Sequence, residues 1–95
     1  MKVTDLGNAL RSQTRLNILK ILDKKSLRAV DVYNEYKVLF SSDAKHRESI
    51  YKELERLVDA GILNKRYDRN KKGIIYTLRF QTIHIDLITG EVTAE

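Results

Sequence analysis

The sequence predicts an α+β fold in which three to four helices are followed by two β-hairpins. Apolar residues recur at helical spacing through the first sixty residues, and this pattern stops at Gly61. Beyond Gly61, short runs of β-branched and aromatic residues alternate with polar loops, as strands and turns do. Because 95 residues suffice for a single core, all of these elements are expected to pack in one fold.

Helical periodicity predicts a short first helix carrying Val3, Leu6 and Leu10, followed by longer helices at about residues 12–24, 29–39 and 43–60. Ser12 stands where an N-cap is expected, and the polar residues 41–43 offer caps for the last helix. Leu27 is expected to be briefly extended. Gly61 follows the last helix at the C′ position, where a left-handed residue commonly ends a helix.

The part of the sequence after Gly61 predicts two hairpins. The runs "ILNKRY" and "IIYTLRF" flank the polar loop "DRNKKG" at residues 68–73, so they predict a first hairpin with a basic tip. In "TIHIDL" apolar and polar residues alternate, and "ITGEV" places Gly90 at a turn. These residues predict the second hairpin.

The sequence lacks the residues that disulfides, metal sites and common catalytic sites require. The sequence contains no Cys, and its two His, His46 and His84, lie far apart, so we expect neither a disulfide nor a metal site. It has no carboxylate pair with a partnered His, no glycine-rich phosphate loop and no HExxH motif, so we expect no enzyme and no cofactor. With no apolar run of membrane-spanning length and no recognisable targeting segment, a cytoplasmic protein without a membrane contact is expected.

Charge is distributed unevenly along the chain. The net charge is +5, and the balance is +4 over residues 1–42, +4 over residues 43–80 and −3 over residues 81–95. The basic part suggests a polyanionic partner such as nucleic acid. The acidic segment leaves room for a protein partner as well.

Two stretches carry a family resemblance. In "LGNALRSQTRLNILKIL", a short helix ending in Ala9 and Leu10 is followed by a capping residue and then by Thr-Arg-Leu before an aliphatic run. "SIYKELERLVDAGILNKRYDRNKKGIIYTL" has the order of a recognition helix, an Ala-Gly turn, a wing strand, a polar loop and a Tyr-x-Leu return strand. Over about residues 5–79 the chain therefore resembles the ArsR-type winged helix-turn-helix DNA-binding family, as an archaeal-like member without metal-sensor ligands.

The resemblance implies a function as well as a fold. Residues 1–80 would form a winged helix DNA-binding domain, and residues 81–95 an acidic β extension that contacts a dimer mate or a partner. Helix 43–60 would enter the major groove of double-stranded DNA, with the wing at residues 67–73 on the backbone or in the minor groove. We expect a sequence-specific transcriptional regulator, a repressor, which binds as a homodimer because one small module buries too little DNA surface for useful specificity.

The sequence also departs from that family. Metal sensors of the family carry Cys or His clusters on their helices, and none exists here, so no metal effector is carried over. The closing dimer helix is replaced by the hairpin "TIHIDLITGEVTAE", which leaves this hairpin and the first helix as candidate dimer contacts. The segment "KVLFSSDAKHRE" is longer than the usual helix-turn-helix link, so a different turn is expected.

Two ways of choosing the DNA-contacting side of helix 43–60 agree only on Lys52. A helical wheel drawn opposite the apolar face selects Lys45, Ser49, Lys52 and Arg56, whereas alignment with the family at the Ala-Gly turn selects Arg47, Glu48, Tyr51 and Lys52. Because the amino-terminal half of such a helix reads the bases, the candidate residues are Lys45, His46, Arg47, Tyr51 and Lys52. Arg47 suits a bidentate contact with guanine, and Arg56 a phosphate contact or a solvated position.

The tip of the wing supplies the remaining candidates, Arg69, Asn70, Lys71 and Lys72, with Arg66 assisting from the strand. A flexible basic tip is expected to contribute affinity and salt dependence rather than a choice of sequence. Some of these residues also have simpler interpretations: Tyr51 could pack at the helix edge, and a basic tip is often only a soluble loop. The alternative function is a winged-helix module that binds a protein, as an adaptor, or RNA. A protein adaptor would be expected to have a neutral or acidic recognition helix and an exposed apolar patch.

Overall fold

Helices occupy the first part of the fold and strands the second. The computed structural model describes residues 2–95, with α1 (Val3–Ala9), α2 (Gln13–Ile21), β1 (Leu27–Arg28), α3 (Ala29–Leu39), α4 (Arg47–Asp59), β2 (Leu63–Asp68), β3 (Gly73–Leu78), β4 (Ile83–Ile85) and β5 (Val92–Ala94). Within that range, none of the helices combines the length and the apolar character needed to cross a membrane. The predicted order of helices followed by hairpins is confirmed.

Local capping signals set two of the helix ends as predicted. The Ser12 hydroxyl accepts a hydrogen bond from the backbone N–H of Arg15 and caps α2. Gly61 adopts the left-handed conformation, with φ of 79°, after α4. Its N–H bonds the carbonyl of Val58 and the next N–H bonds that of Leu57, which is the Schellman arrangement. At the other end of α2 the prediction was too long, because Leu22 is its C-cap and Lys24 is left-handed.

Helix α4, the predicted recognition helix, begins later than predicted. Helix 43–60 was expected, but α4 starts at Arg47, and His46 is its N-cap without a side-chain capping bond. The polar residues 41–43 do not cap it. Asp43 instead accepts a hydrogen bond from the hydroxyl of Tyr36 on α3, which draws the chain into a turn before the helix can start. Residues 40–46 therefore form a long link between α3 and α4, as the sequence predicts.

The first hairpin belongs to a three-stranded antiparallel sheet in the order β1–β3–β2. Leu27 pairs with Tyr76, which confirms the extended residue ahead of α3. β2 and β3 pair in unbroken register from Leu63 with Leu78 to Asp68 with Gly73. Residues 69–72 form the wing tip, slightly shorter than the predicted loop.

The second hairpin forms as expected and pairs only within itself in the described chain. β4 and β5 are joined through Ile83 with Ala94 and Ile85 with Val92. Gly90 takes the predicted left-handed turn, with φ of 75°. The Asp86 carboxylate accepts hydrogen bonds from the backbone N–H groups of residues 88 and 89, so the turn is capped locally.

The core lies between the helices and the inner face of the three-stranded sheet. Helix α4 contributes Ile50, Leu54 and Leu57, each fully buried. Partners come from α2, α3 and the start of the wing, including Ile18, Ile21, Val32, Tyr36 and Leu63. This packing holds the opposite side of α4 in solvent beside a projecting hairpin, which is the predicted winged helix architecture.

Candidate nucleic-acid interface

The outward side of α4 is polar along its first two turns. Arg47, Glu48, Ser49 and Lys52 are exposed, and Tyr51 is half-buried. Ile50 and Leu54 face inward because they lie four residues apart on one stripe of the helix. The core therefore fixes which side of α4 is free, and both Arg47 and Lys52 are on that side.

Arg47 is exposed, and its side chain also contacts α3. Its guanidinium carbon is 5.9 Å from the centre of the Tyr33 ring, and the Lys37 ammonium is 4.7 Å from the same ring. Both distances are within the range of a cation–π contact, which is worth about 0.5–1 kcal/mol at an exposed site. Lys37 thus joins the basic surface at the start of α4, a placement that the sequence pattern did not indicate.

Lys45 and His46 precede α4, which corrects their predicted helical position. The Lys45 ammonium is 3.3 Å from the carboxylate of Asp43, and both side chains are partly exposed. His46 is exposed at the N-cap. The two residues nevertheless remain next to Arg47, at the amino-terminal end of the recognition helix.

A chain of hydrogen bonds that is buried at its centre reaches the link in front of α4. Gln13 donates to the side chain of Asn17 at 2.9 Å, Asn17 donates to the Tyr36 hydroxyl at 3.2 Å, and that hydroxyl donates to Asp43 at 2.7 Å. Asn17 and Tyr36 are buried among apolar residues. The hydrogen bond from Tyr36 lowers the pKa of Asp43, with a smaller contribution from Lys45. The chain connects α2 and α3 to the residues that begin the recognition helix.

The Tyr36→Phe variant is expected to lose about 1–3 kcal/mol of unfolding free energy, because it leaves the buried Asn17 amide without its acceptor and Asp43 without its donor. The difference from the wild type should be largest above pH 3.8, the ordinary pKa of an Asp carboxyl. It should shrink as the pH falls through the lowered pKa of Asp43, since protonation removes the charge that the hydroxyl stabilises. Urea unfolding at pH 7 and at pH 3 measures this. An equal loss at both pH values would contradict the role of Asp43.

Helix α4 is joined to the wing by a second polar cluster. The Glu55 carboxylate accepts hydrogen bonds from Lys65 on β2 and, at 2.8 Å, from the hydroxyl of Tyr76 on β3. The bond from Lys65 lowers the pKa of Glu55, and burial raises the pKa of Tyr76. This cluster fixes the wing relative to the recognition helix, and the sequence pattern did not predict it.

Arg15 has a structural role. Its guanidinium donates to Glu53 on α4 at 2.6 Å and to the carbonyls of Asn8 and Ala9 at the end of α1. Arg15 on α2 is therefore bonded both to the end of α1 and to a carboxylate of α4. Arg56 pairs with the same Glu53 at 2.8 Å and stays about half exposed.

The wing tip forms a hydrogen-bonded turn. The Asp68 carboxylate accepts a hydrogen bond from the Lys71 backbone N–H at 3.0 Å, and this bond lowers the pKa of Asp68. The Lys71 ammonium bonds the carbonyl of Ser26, so this lysine is engaged within the fold. Arg69, Asn70 and Lys72 are exposed.

The nine predicted residues thus fall into two groups, Lys45 to Lys52 at the start of α4 and Arg69 to Lys72 at the wing tip. Arg66 is exposed on β2 and lies 3.7 Å from Asp68, close to the second group. Among residues 2–95 there is no cluster of three or more His, Asp or Glu side chains that could hold a metal ion.

Comparison with known proteins identifies the fold. No protein-family model matches the chain, and no curated protein matches it by sequence. Among solved structures, the ferric uptake regulator of Vibrio cholerae, which has DNA-binding domains, is similar over 97% of this chain and 74% of its own, with a TM-score of 0.66 and 22% identity. The ferric uptake regulator of Pseudomonas aeruginosa, solved with manganese, covers 100% and 75%, with a TM-score of 0.62 and 19% identity. A zinc-bound manganese uptake regulator covers 88% and 65%, with a TM-score of 0.59 and 20% identity.

These likenesses establish the winged helix fold of the chain. The three structures named above are metal uptake regulators and not ArsR-type proteins, so they support the ArsR-type resemblance only at the level of the winged helix. Two of these structures contain manganese or zinc. Residues 2–95 of this chain contain no cluster of side chains that could hold such a metal ion.

Proposed function

We propose that the protein is a transcriptional regulator that binds double-stranded DNA with α4 in the major groove and the wing on the flanking backbone. The observation that carries this proposal is the placement of cations on both free surfaces of a winged helix, the outward side of α4 and the wing tip. An α-helix fits the major groove, and its amino-terminal residues approach the base edges. The similarity to structures of uptake regulators supports the same function.

Individual residues have distinct proposed roles. Arg47 would leave the Tyr33 ring and donate two hydrogen bonds to a guanine, while Lys52 contacts a base or a phosphate one turn further on. Lys45 would exchange its pair with Asp43 for a phosphate. At the wing, Arg69 and Lys72 are the cations best placed to neutralise phosphates, because Lys71 already bonds Ser26.

The biological role that fits this geometry is a homodimeric repressor. One module of this size buries about 600–1,000 Å² on DNA, so two half-sites about one helical turn apart would be needed for useful specificity. A dimer bound across a promoter would exclude other proteins from it. No metal effector is proposed.

Random-sequence DNA tests the proposal. Binding of a fluorescent random duplex, measured by anisotropy at several salt concentrations, should weaken steeply as salt rises, because binding releases counterions from the phosphates. No binding at low salt would reject DNA binding and favour the alternative of a protein adaptor. Binding to a single-stranded or double-stranded RNA of equal length, in preference to the duplex DNA, would favour the RNA alternative.

The wing makes a separate prediction. The Arg69→Ala/Lys72→Ala variant should reduce the slope of log K against log salt by about 1.8, since each lost phosphate contact removes about 0.9 from it. A matched loss of two exposed cations, Lys2→Ala at the N-cap of α1 and Lys20→Ala on α2, should leave the slope close to that of the wild type. Equal slopes for the wing variant and the wild type would show that the tip does not touch DNA.

A further inference from the structure

The tip of the second hairpin presents apolar side chains to solvent. Leu87 is 90% exposed and Ile88 is 95% exposed, and Ile85 on β4 is also exposed. Glu91 belongs to the same hairpin, and its carboxylate has no ion-pair partner among residues 2–95. An apolar tip with acidic flanks is costly to leave in water, and such patches commonly mark an interaction surface.

A positively charged cleft lies between the α1–α2 corner and the carboxyl end of α4. Of its four arginines, Arg15 and Arg56 are paired with Glu53, whereas Arg11 and Arg79 have no carboxylate within 4 Å in the described chain. The Arg79 guanidinium lies 5.3 Å from the centre of the Phe80 ring. The remaining lining residues are Asp5, Asn8, Ala9, Ser12, Asp59, Ala60, Gly61 and Phe80, so the cleft keeps a net positive charge.

An apolar groove adjoins this cleft and shares Phe80 with it. Its apolar lining consists of Leu10, Leu16, Leu19, Ile62, Leu78, Phe80 and Ile83. The base of the second hairpin, residues 81–83, forms one rim of the groove. The base of the hairpin therefore borders the groove.

We propose that two copies of the chain dimerise through these surfaces, each placing its second hairpin against the groove and cleft of the other. Leu87 and Ile88 would cover the apolar groove, and Glu91 would approach the free guanidinium groups of Arg11 and Arg79. Both the apolar and the charged parts of the two surfaces are complementary. In a twofold dimer each copy would contribute one hairpin and one groove with its cleft, so that the two equivalent contacts would close the assembly.

The same arrangement leaves the DNA-contacting surface free. The cleft touches Asp59 and Ala60 at the carboxyl end of α4, whereas Arg47 begins the helix. Thirteen residues of helix separate these ends by ~20 Å. The inference rests on the proposed homodimer and names its interface. This dimer is expected to form without DNA and to supply the two half-site readers that the proposed function requires.

Sedimentation velocity without DNA, from 1 to 100 µM protein, tests this inference, with concentrations chosen to span about micromolar affinity. The wild type should be dimeric at the upper concentrations, and the Leu87→Ser/Ile88→Ser variant should dissociate at least tenfold more readily. Val38→Ser/Leu39→Ser is the matched control, because these two side chains are 77% and 60% exposed at the end of α3, away from the groove. A wild type that stays monomeric, or a control that dissociates as readily as the hairpin variant, would overturn the proposal.

A charge exchange tests the orientation. Arg11→Glu/Arg79→Glu should weaken the dimer, and adding Glu91→Arg to the same chain should restore part of it, because each copy contributes both sides of the contact. Circular dichroism checks that the variants fold. Weakening without any rescue would place the arginines outside the contact with Glu91 and overturn this orientation. Binding of the hairpin variant to random duplex DNA separates the two proposals, since it should persist even where the dimer is lost.

Discussion

The Arg47→Ala variant is expected to bind its preferred DNA sequence roughly 5- to 150-fold more weakly than the wild type, a loss of about 1–3 kcal/mol for one bidentate contact to a guanine. Arg47 is the exposed arginine at the amino-terminal end of α4, where a recognition helix comes closest to the base edges. Its contact with Tyr33 is weak enough to be exchanged for a base.

The measurement begins with selection of a preferred sequence from a pool of random duplexes by the wild-type protein. Affinities of wild type and Arg47→Ala are then compared on that sequence and on a random duplex. Base recognition predicts a large loss on the selected sequence and a small loss on the random one. Lys72→Ala is the comparison, because a phosphate contact should lower both affinities by a similar factor. Equal losses for Arg47→Ala on the two duplexes would assign Arg47 to the backbone instead.

The Leu54→Ala variant is expected to lose about 2–5 kcal/mol of unfolding free energy, the range for removing a leucine side chain from a packed core. Leu54 is completely buried at the middle of α4 and lies in the cluster that includes Ile18 and Val32. Removal of the methyl groups leaves a cavity where α4 packs against α2 and α3. Small domains have about 5–15 kcal/mol of stability, so this single change removes a large part of it.

Urea unfolding followed by circular dichroism measures the effect, and Val38→Ala is the control. Val38 is 77% exposed on α3, so its substitution should change the free energy by less than about 0.5 kcal/mol. DNA binding by Leu54→Ala should fall at temperatures where part of the protein is unfolded and recover on cooling. A loss below about 1 kcal/mol would mean that α4 does not pack through Leu54.

Sequence reasoning succeeded where the signal is local. The apolar stripe of α4, the left-handed Gly61 after it and the left-handed Gly90 in the second hairpin each depend on residues a few positions apart. The helix at residues 29–39 was predicted with its observed bounds for the same reason. The start of α4 was misplaced because three polar residues resemble caps, while the bond that governs this link comes from Tyr36, seven residues earlier.

The sequence by itself determined the order of the elements, the polarity of their faces and the positions of the basic residues, since these follow from spacing along the chain. Only the tertiary structure decided which of those cations are free. The Arg15 guanidinium is bonded to the Glu53 carboxylate, 38 residues away, and the Lys71 ammonium is bonded to the Ser26 carbonyl, 45 residues away. Such partners meet because the core packs α2, α4 and the wing together, and no local pattern encodes a contact between residues so distant in sequence.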